Sequence, residues 1–338
     1  MKATANAPAN IAFIKYWGRR DHQLFLPLTT TSSMNLDACR STTTVDFDPA
    51  YDRDTITIVD EQGDRKEVSP EGSRKDRGLF RQLDRVRELA GTSLRAKVLS
   101  STNIPLDAGI ASSAAGLCAF TAAALAAIGL RAMVEDREAL SREVRLTGSV
   151  SAARSTHDGF TKHLFGERHE DAVTRQIAPP EHWDLRDLVA VVTREQKSIS
   201  SSLGHELAHT SPYLEARLAE MQSRIGLVER AILERDLCTL GPAIEFECIS
   251  MHAVMMTSTP PAYYWSPGTI AVLKQVLGLR KAGLEAYFTL DAGPNVHVLC
   301  EAPQAAELEC QLRSNPFVTA VLHNRTGVGV RLLDTQFF

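Results

Sequence analysis

Four short segments concentrate the residue types that handle phosphate and protons. Ser101–Gly116 reads STNIPLDAGIASSAAG, a strand end followed by a turn of small residues and then an Ala-rich helix. Gly109 and its small neighbours let backbone N–H groups approach an anion closely. The helix start adds partial positive charge, and Ser112 and Ser113 offer hydroxyls to phosphate or Mg²⁺. The spacing matches neither common nucleotide fingerprint, and a tightly packed Ala/Ser helix without a ligand is an equal reading of this segment alone. Ala7–Asp21, APANIAFIKYWGRRD, sets Lys15, Arg19 and Arg20 beside aromatic Tyr16 and Trp17. Alone it reads as a charged, solvated turn. In Gly148–Thr156, GSVSAARST, a helix would put Ser151, Arg154 and Ser155 on one face. One guanidinium among hydroxyls is an anion clamp, though an exposed helical Arg has the same pattern. Thr289–Asn295, TLDAGPN, places Asp291 at a strand end beside a Gly-Pro turn. That position suits a general base, and Asp also serves simply as a turn residue.

A fifth segment points to different chemistry. His205–His209 is HELAH, which matches H-E-x-x-H, two zinc-binding histidines with Glu206 to activate water. Its flanks are Ser-rich, Pro212 follows closely, and no third ligand is marked, so a solvated helix start is the stronger reading.

These segments need elements to position them. The pattern predicts strands at Thr43–Phe47, Thr55–Val59 and Leu94–Ser100, with a charged helix over Lys75–Ala90 between the last two. The Ala-rich helix starts near 109, and further helices fall near 136–146 and 150–164. Leu188–Thr193 is a buried strand, followed by amphipathic helices at 212–236 and 238–257, ended by Pro260 and Pro261. A helix at 267–281 leads to strands Glu285–Leu290 and Val296–Cys300, a helix at 303–313, and strands Val318–Leu322 and Val328–Leu333. Strands and helices in both halves give an α+β protein, divided near Pro179 and Pro180 into units 1–184 and 185–338.

Bulk properties exclude several classes. With 44% hydrophobic and 23% charged residues the chain is neither disordered nor fibrous, and 338 residues favour two domains. A formal charge of −4 gives no global attraction to nucleic acid or an anionic membrane, so phosphate binding requires a local basic pocket. Arg19, Arg20, Arg74 and Lys75 are candidates for it. Ala108–Leu130 lacks charge over 23 residues but is mostly small, and reads as a helix buried between layers rather than a membrane span. The six scattered cysteines and the start MKATANAPANIAF fit a cytoplasmic protein with reduced thiols and no signal peptide.

Together, NIAFIKYWGRRD, PLDAGIASSAAG, GSVSAARS and LDAGPN resemble, in order and wording, the motifs of the diphosphomevalonate decarboxylase family of the GHMP kinase superfamily. Weaker echoes occur in KSISSSLG (197–204) and MHAVMMTSTPP (251–261), so the resemblance spans the chain. It implies a GHMP kinase fold, with an N-terminal ribosomal protein S5 domain 2-like domain and a C-terminal ferredoxin-like domain. It implies ATP as co-substrate with Mg²⁺, a phosphorylated mevalonate as substrate, and a homodimer. ATP would be held by Asn103, Pro105, Gly109, Ala111, Ser112, Ser113, Gly116 and Lys197, with Ser112 or Ser113 near the metal. Substrate binding would fall to Tyr16, Trp17, Arg19, Arg74, Ser151 and Ser155. Asp291 would take the proton of the tertiary 3-hydroxyl, Lys15 would lie beside it, and Arg154 would bind the substrate carboxylate and keep Asp291 ionised.

The chain departs from the family wording at several positions. Arg19 stands where a lysine is usual, Asp107 replaces a small residue in the phosphate loop, Val150 and Ala153 vary inside the third motif, and Glu247 stands where some relatives carry Asp. The 5-diphosphate is the default substrate; the 5-monophosphate, or 3-phosphorylation without decarboxylation, are alternatives. A pure binding or scaffold role is disfavoured because the expected Asp, Arg and Lys are all present.

Overall fold

The computed structural model describes residues 1–104, 112–195 and 199–338, with the side chain of Lys75 left aside. The first half begins with β1 (Lys2–Ile14), β2 (Arg19–Asp21), β3 (Leu26–Pro27), β4 (Thr31–Asp48), β5 (Thr55–Val59) and β6 (Arg65–Glu67). It continues with α1 (Arg74–Ala90), β7 (Arg95–Thr102), α2 (Ser112–Ala127), α3 (Arg131–Glu135), α4 (Arg137–Leu146), α5 (Val150–Arg154), β8 (Phe160–His163) and β9 (Thr174–Ala178). The second half holds β10 (Leu185–Val191), α6 (Ser201–Leu207), α7 (Leu214–Glu234), α8 (Leu237–Met256) and α9 (Pro267–Lys281). It ends with β11 (Tyr287–Thr289), β12 (Val296–Glu301), α10 (Ala305–Arg313), β13 (Ala320–Arg325) and β14 (Arg331–Leu333).

Two sheets organise these elements. An eight-stranded sheet runs β14-β1-β4-β7-β5-β6, with β8 on β4 and β9 on β8. A four-stranded antiparallel sheet runs β11-β12-β10-β13. The last strand thus crosses back: Arg331–Leu333 pairs with Asn6–Thr4 of β1, although sequence order puts it in the second half.

Local chemistry explains the clear elements. α1 starts on a capping box between Ser73 and Asp76 and ends on left-handed Gly91. α9 starts on Ser266 with Pro267 at its first position. α2 is buried almost all round because it lies against both β1 and β4, so its apolar character belongs to the core. Among the described residues no helix is long and apolar enough to cross a membrane.

Other elements depart from the sequence pattern. β1 carries no simple alternation because a bulge between Pro8 and Asn10 turns the strand over. Ala5 and Ala7 therefore join the core with α2, while Ala9, Ile11 and Phe13 join the core with α7 and α8. The expected helix over 150–164 lasts only from Val150 to Arg154. Gly159, at φ +71° and packed against the Ala178 carbonyl, turns the chain into β8 instead.

Candidate active site

The site forms where the end of β1, the starts of α1, α2 and α5, the α6 helix and the turn after β11 meet. Lys15 is the first residue beyond β1 and is almost fully buried. Its Nζ donates to Asp291 Oδ1 at 2.8 Å. Three residues on, Gly18 has φ +83°, and a Cβ there would meet Leu28 at 2.4 Å, so the Tyr-Trp-Gly turn needs glycine. The turn buries Tyr16 and Trp17, whose rings lie 4.1 and 4.8 Å from that of His205 on α6. Gly204 permits this approach, since a Cβ there would fall 2.4 Å from the Trp17 ring.

Asp291 stands at the turn after β11. Asn295 pins that turn by accepting the Val192 and Thr193 N–H groups at 2.7 and 3.2 Å. Burial pushes the Asp291 carboxyl up, but the Lys15 ammonium, with the charges of His297 and Arg154, outweighs it and holds the group below the ordinary carboxylate value. Asp291 is therefore an ionised carboxylate at neutral pH, as a proton acceptor must be.

Arg154 is fully buried and lies beneath the cleft lining, not in it. It donates to Thr31 Oγ1 at 2.9 Å, Asn10 Oδ1 at 3.1 Å and Ser151 Oγ at 3.4 Å, and its Nε has no partner among the described residues. Burial lowers its pKa to about 10, which leaves it charged at neutral pH. In this arrangement it acts on Asp291 through its charge. Reaching a carboxylate in the cleft would mean exchanging the longest bond, that to Ser151.

Part of the cleft wall is cationic. Arg19, Arg74 and Arg81 line it beside Phe25, whose ring lies 4.8 Å from the Arg19 guanidinium and 5.8 Å from that of Arg81. Arg19 donates to Tyr16 Oη at 3.0 Å and to the Gly148 carbonyl at 3.3 Å, leaving a buried Nη1 without a partner among the described residues. Burial and the charges of Arg19, Arg81 and Arg77 lower the pKa of Arg74, which pairs with Glu206 of α6. A polyanion would relieve this like-charge crowding.

Ser112 and Ser113, at the start of α2, line both this cleft and an adjoining groove. The groove is walled by Ile56, Ile58, Leu79 and Val98, with hydroxyls from Ser41 and Ser100. An apolar slot, a helix N-terminus and a basic chamber thus follow one another, an order suited to a planar base, a phosphate chain and a second anion.

Comparison with known proteins agrees with this geometry. Residues 7–174 match the diphosphomevalonate decarboxylase-like N-terminal domain, and residues 187–323 the mevalonate 5-diphosphate decarboxylase C-terminal domain. The diphosphomevalonate decarboxylase of Ganoderma lucidum is 34% identical over 87% of this chain and 77% of its own length. The Bos taurus enzyme is 32% identical over 95% of this chain and 80% of its own. The chain belongs to the diphosphomevalonate decarboxylase family. A structure of MDDEF in complex with MVAPP, AMPPCP and magnesium aligns at TM-score 0.89 and 32% identity, covering 99% of both chains. The mevalonate diphosphate decarboxylase of Staphylococcus aureus aligns at TM-score 0.89 and 28% identity, covering 98% of both. The α+β architecture is accordingly of the GHMP type, with an N-terminal and a C-terminal sheet domain.

Within that family frame, Lys15, Tyr16, Trp17, Arg19, Arg74, Ser112, Ser113, Ser151 and Asp291 all line the main cleft. Ser155 does not: it is buried, donates to the Pro8 carbonyl and accepts from Asn10, so it braces the shell around Arg154. Asn103 bonds the Ala38 carbonyl and the Arg40 N–H, tying the end of β7 to β4. Gly116 lines the apolar groove. Pro105, Asp107, Gly109, Ala111 and Lys197 lie outside the described residues. Arg20 turns outward to Glu167 and Phe165 and leaves the basic wall to its neighbours.

The HELAH segment forms no zinc helix. α6 ends at Leu207, His209 hydrogen-bonds the Arg19 carbonyl at 2.9 Å, Glu206 pairs with Arg74, and His205 stacks in the cleft wall. Sequence reasoning missed Arg81, which faces the cleft seven residues, two turns, after Arg74. The i, i+7 spacing of α1 was the available signal.

Proposed function

We propose that this chain catalyses the ATP-dependent decarboxylation of (R)-5-diphosphomevalonate to isopentenyl diphosphate, ADP, phosphate and CO₂ through a 3-phosphorylated intermediate. The observation that carries the reading is the Lys15–Asp291 pair at 2.8 Å, its lysine buried and its carboxylate partly open to the cleft that the basic side chains and the start of α2 also line. Asp291 accepts the proton of the tertiary hydroxyl as its oxygen attacks the γ-phosphate of ATP. Lys15 holds the carboxylate ionised and stabilises charge on the moving phosphoryl group. Phosphorylation turns a poor leaving group into a good one. As phosphate departs, positive charge develops at C3, and loss of CO₂ supplies the electrons.

Arg19, Arg74 and Arg81 bind the substrate's diphosphate, with Tyr16, Trp17 and Ser151 shaping the wall. The base of ATP occupies the apolar groove, and its phosphates lie against the α2 start. Among the described residues no group of three or more His, Cys, Asp or Glu could hold a metal. That fits Mg²⁺, which commonly keeps waters and binds through substrate phosphates. Ser112 or Ser113 would add a hydroxyl, and the ion would neutralise phosphate charge there.

Residues 1–184 and 185–338 form the two sequence units, with β14 returned to the first sheet. The chain works in the cytoplasm, as its six free cysteines suggest, four of them buried. It forms a homodimer, for which exposed Phe246 and Ile249, one turn apart on α8, offer apolar surface.

Product analysis with mevalonate, its 5-phosphate and its 5-diphosphate, each with Mg-ATP, tests this reading. Isopentenyl diphosphate and CO₂ should form only from the 5-diphosphate. Equal or better turnover of the 5-phosphate, or ADP without CO₂, would overturn it.

A further inference from the structure

Lys15 and Asp291 lie 276 positions apart, and one helix touches the backbone of both strand ends that carry them. On α8, the fully buried Glu247 accepts the Lys15 backbone N–H at 3.1 Å. Arg217 of α7 donates to the same carboxylate oxygen and to the Lys15 carbonyl, the latter at 3.4 Å. Arg224 donates to the second carboxylate oxygen at 2.7 Å. The next residue along α8, Cys248, accepts the Leu290 N–H at 3.2 Å, one position before Asp291.

A buried Arg–carboxylate–Arg group is a poor way to gain stability. Desolvation of the ions offsets most of their attraction, and apolar replacements are often as stable. Its geometry here suggests another use, because the carboxylate ends on the peptide of Lys15.

We propose that Glu247 is a positioning residue: clamped by Arg217 and Arg224, it fixes the Lys15 peptide so that the Lys15 ammonium stays against Asp291. α8 then sets one half of the ion pair in register with the other. This rests on the reading of Asp291 as the proton acceptor. The ionisable groups facing Asp291 are Lys15, Arg154 and His297, with His252 and Cys248 from α8.

Glu247→Asp keeps the charge that Arg217 and Arg224 need but withdraws the oxygen from the Lys15 N–H. It should lower kcat by roughly 10- to 100-fold, the order expected for a misplacement near 1 Å, while KM for ATP changes little. The acid limb of the kcat profile should move to higher pH, since a carboxyl that loses its close ammonium is governed by burial. Arg217→Lys, which keeps charge but loses the fork, provides the same readout if the Asp variant does not fold. An NMR titration of the Asp291 carboxylate follows the pairing without turnover, so absence of decarboxylation in the wild type would sink the functional reading and still leave this one testable. A lower Tm with the acid limb and the Asp291 titration unmoved would reduce the triad to structural support and overturn the proposal.

Discussion

Arg19 and Arg81 share one ring: their guanidiniums lie 4.8 and 5.8 Å from the centroid of Phe25, in the cleft that Asp291 also lines. One arrives from the Tyr-Trp-Gly turn and the other from α1. Their joint position predicts that either one contributes to holding the substrate's phosphates and not to ATP. Arg19→Ala and Arg81→Ala should each raise KM for diphosphomevalonate about 10- to 100-fold, the worth of a hydrogen bond to a charged group. KM for ATP should stay near its wild-type value, and added salt should weaken substrate binding in the wild type more than in either variant. Steady-state kinetics with each ligand varied in turn checks this. Equal losses for both ligands would mean that the residue supports structure only.

The pH profile follows from Asp291. Its carboxyl is held below the ordinary value despite burial, chiefly by Lys15. A base with a depressed pKa stays ionised as pH falls through the usual carboxylate range, so the acid limb of kcat should lie below that range. The same pairing stabilises the fold above the unfolded-state pKa of Asp, and that contribution fades as pH drops through the lower, folded value. Arg154→Gln removes one of the charges that help, and should move the limb upward. Rate measurements across the acid range with wild type and variant decide it; an acid limb at or above the ordinary carboxylate value in the wild type would contradict the pairing.

Metal dependence separates the two chemistries that the sequence offered. Removing Mg²⁺ should abolish turnover, while a zinc-selective chelator should leave it intact, because His205 and His209 are engaged with Tyr16 and the Arg19 carbonyl. Ser112→Ala should raise the Mg²⁺ concentration needed for half-maximal rate. Loss of activity on zinc chelation alone would revive the hydrolase reading.

Much of this was legible in the residues because the motifs sit where backbone geometry demands them. Gly18 and Gly204 are fixed by steric contacts with Leu28 and Trp17, and Asn295 by the N–H groups it must accept. The order and wording of the motifs gave the family resemblance, and the resemblance implied a shared site. β1 was not legible, since its bulge at Pro8 and Asn10 breaks the alternation by which strands are read. Nor was the burial of Ser155, because its i, i+4 spacing from Ser151 places it on the helix face of Arg154 without saying that Pro8 and Asn10 cover it. Arg81 and Glu247 were hidden for a simpler reason. One belongs to a charged helix that resembles any solvated helix, and the other matters only through partners 30 and 232 positions away.

The central claim is that Asp291 removes the hydroxyl proton and thereby starts a sequence that ends in loss of CO₂. The most direct measurement follows ADP and CO₂ separately in the wild type and in Asp291→Asn, with diphosphomevalonate and Mg-ATP. The wild type should release the two in equal amounts. Asn has the same shape and can still hydrogen-bond in the turn but cannot take the proton, so both products should fall together by about 10²–10⁴-fold, with ATP binding and Tm little changed. Near-normal CO₂ release from the Asn variant would contradict the account.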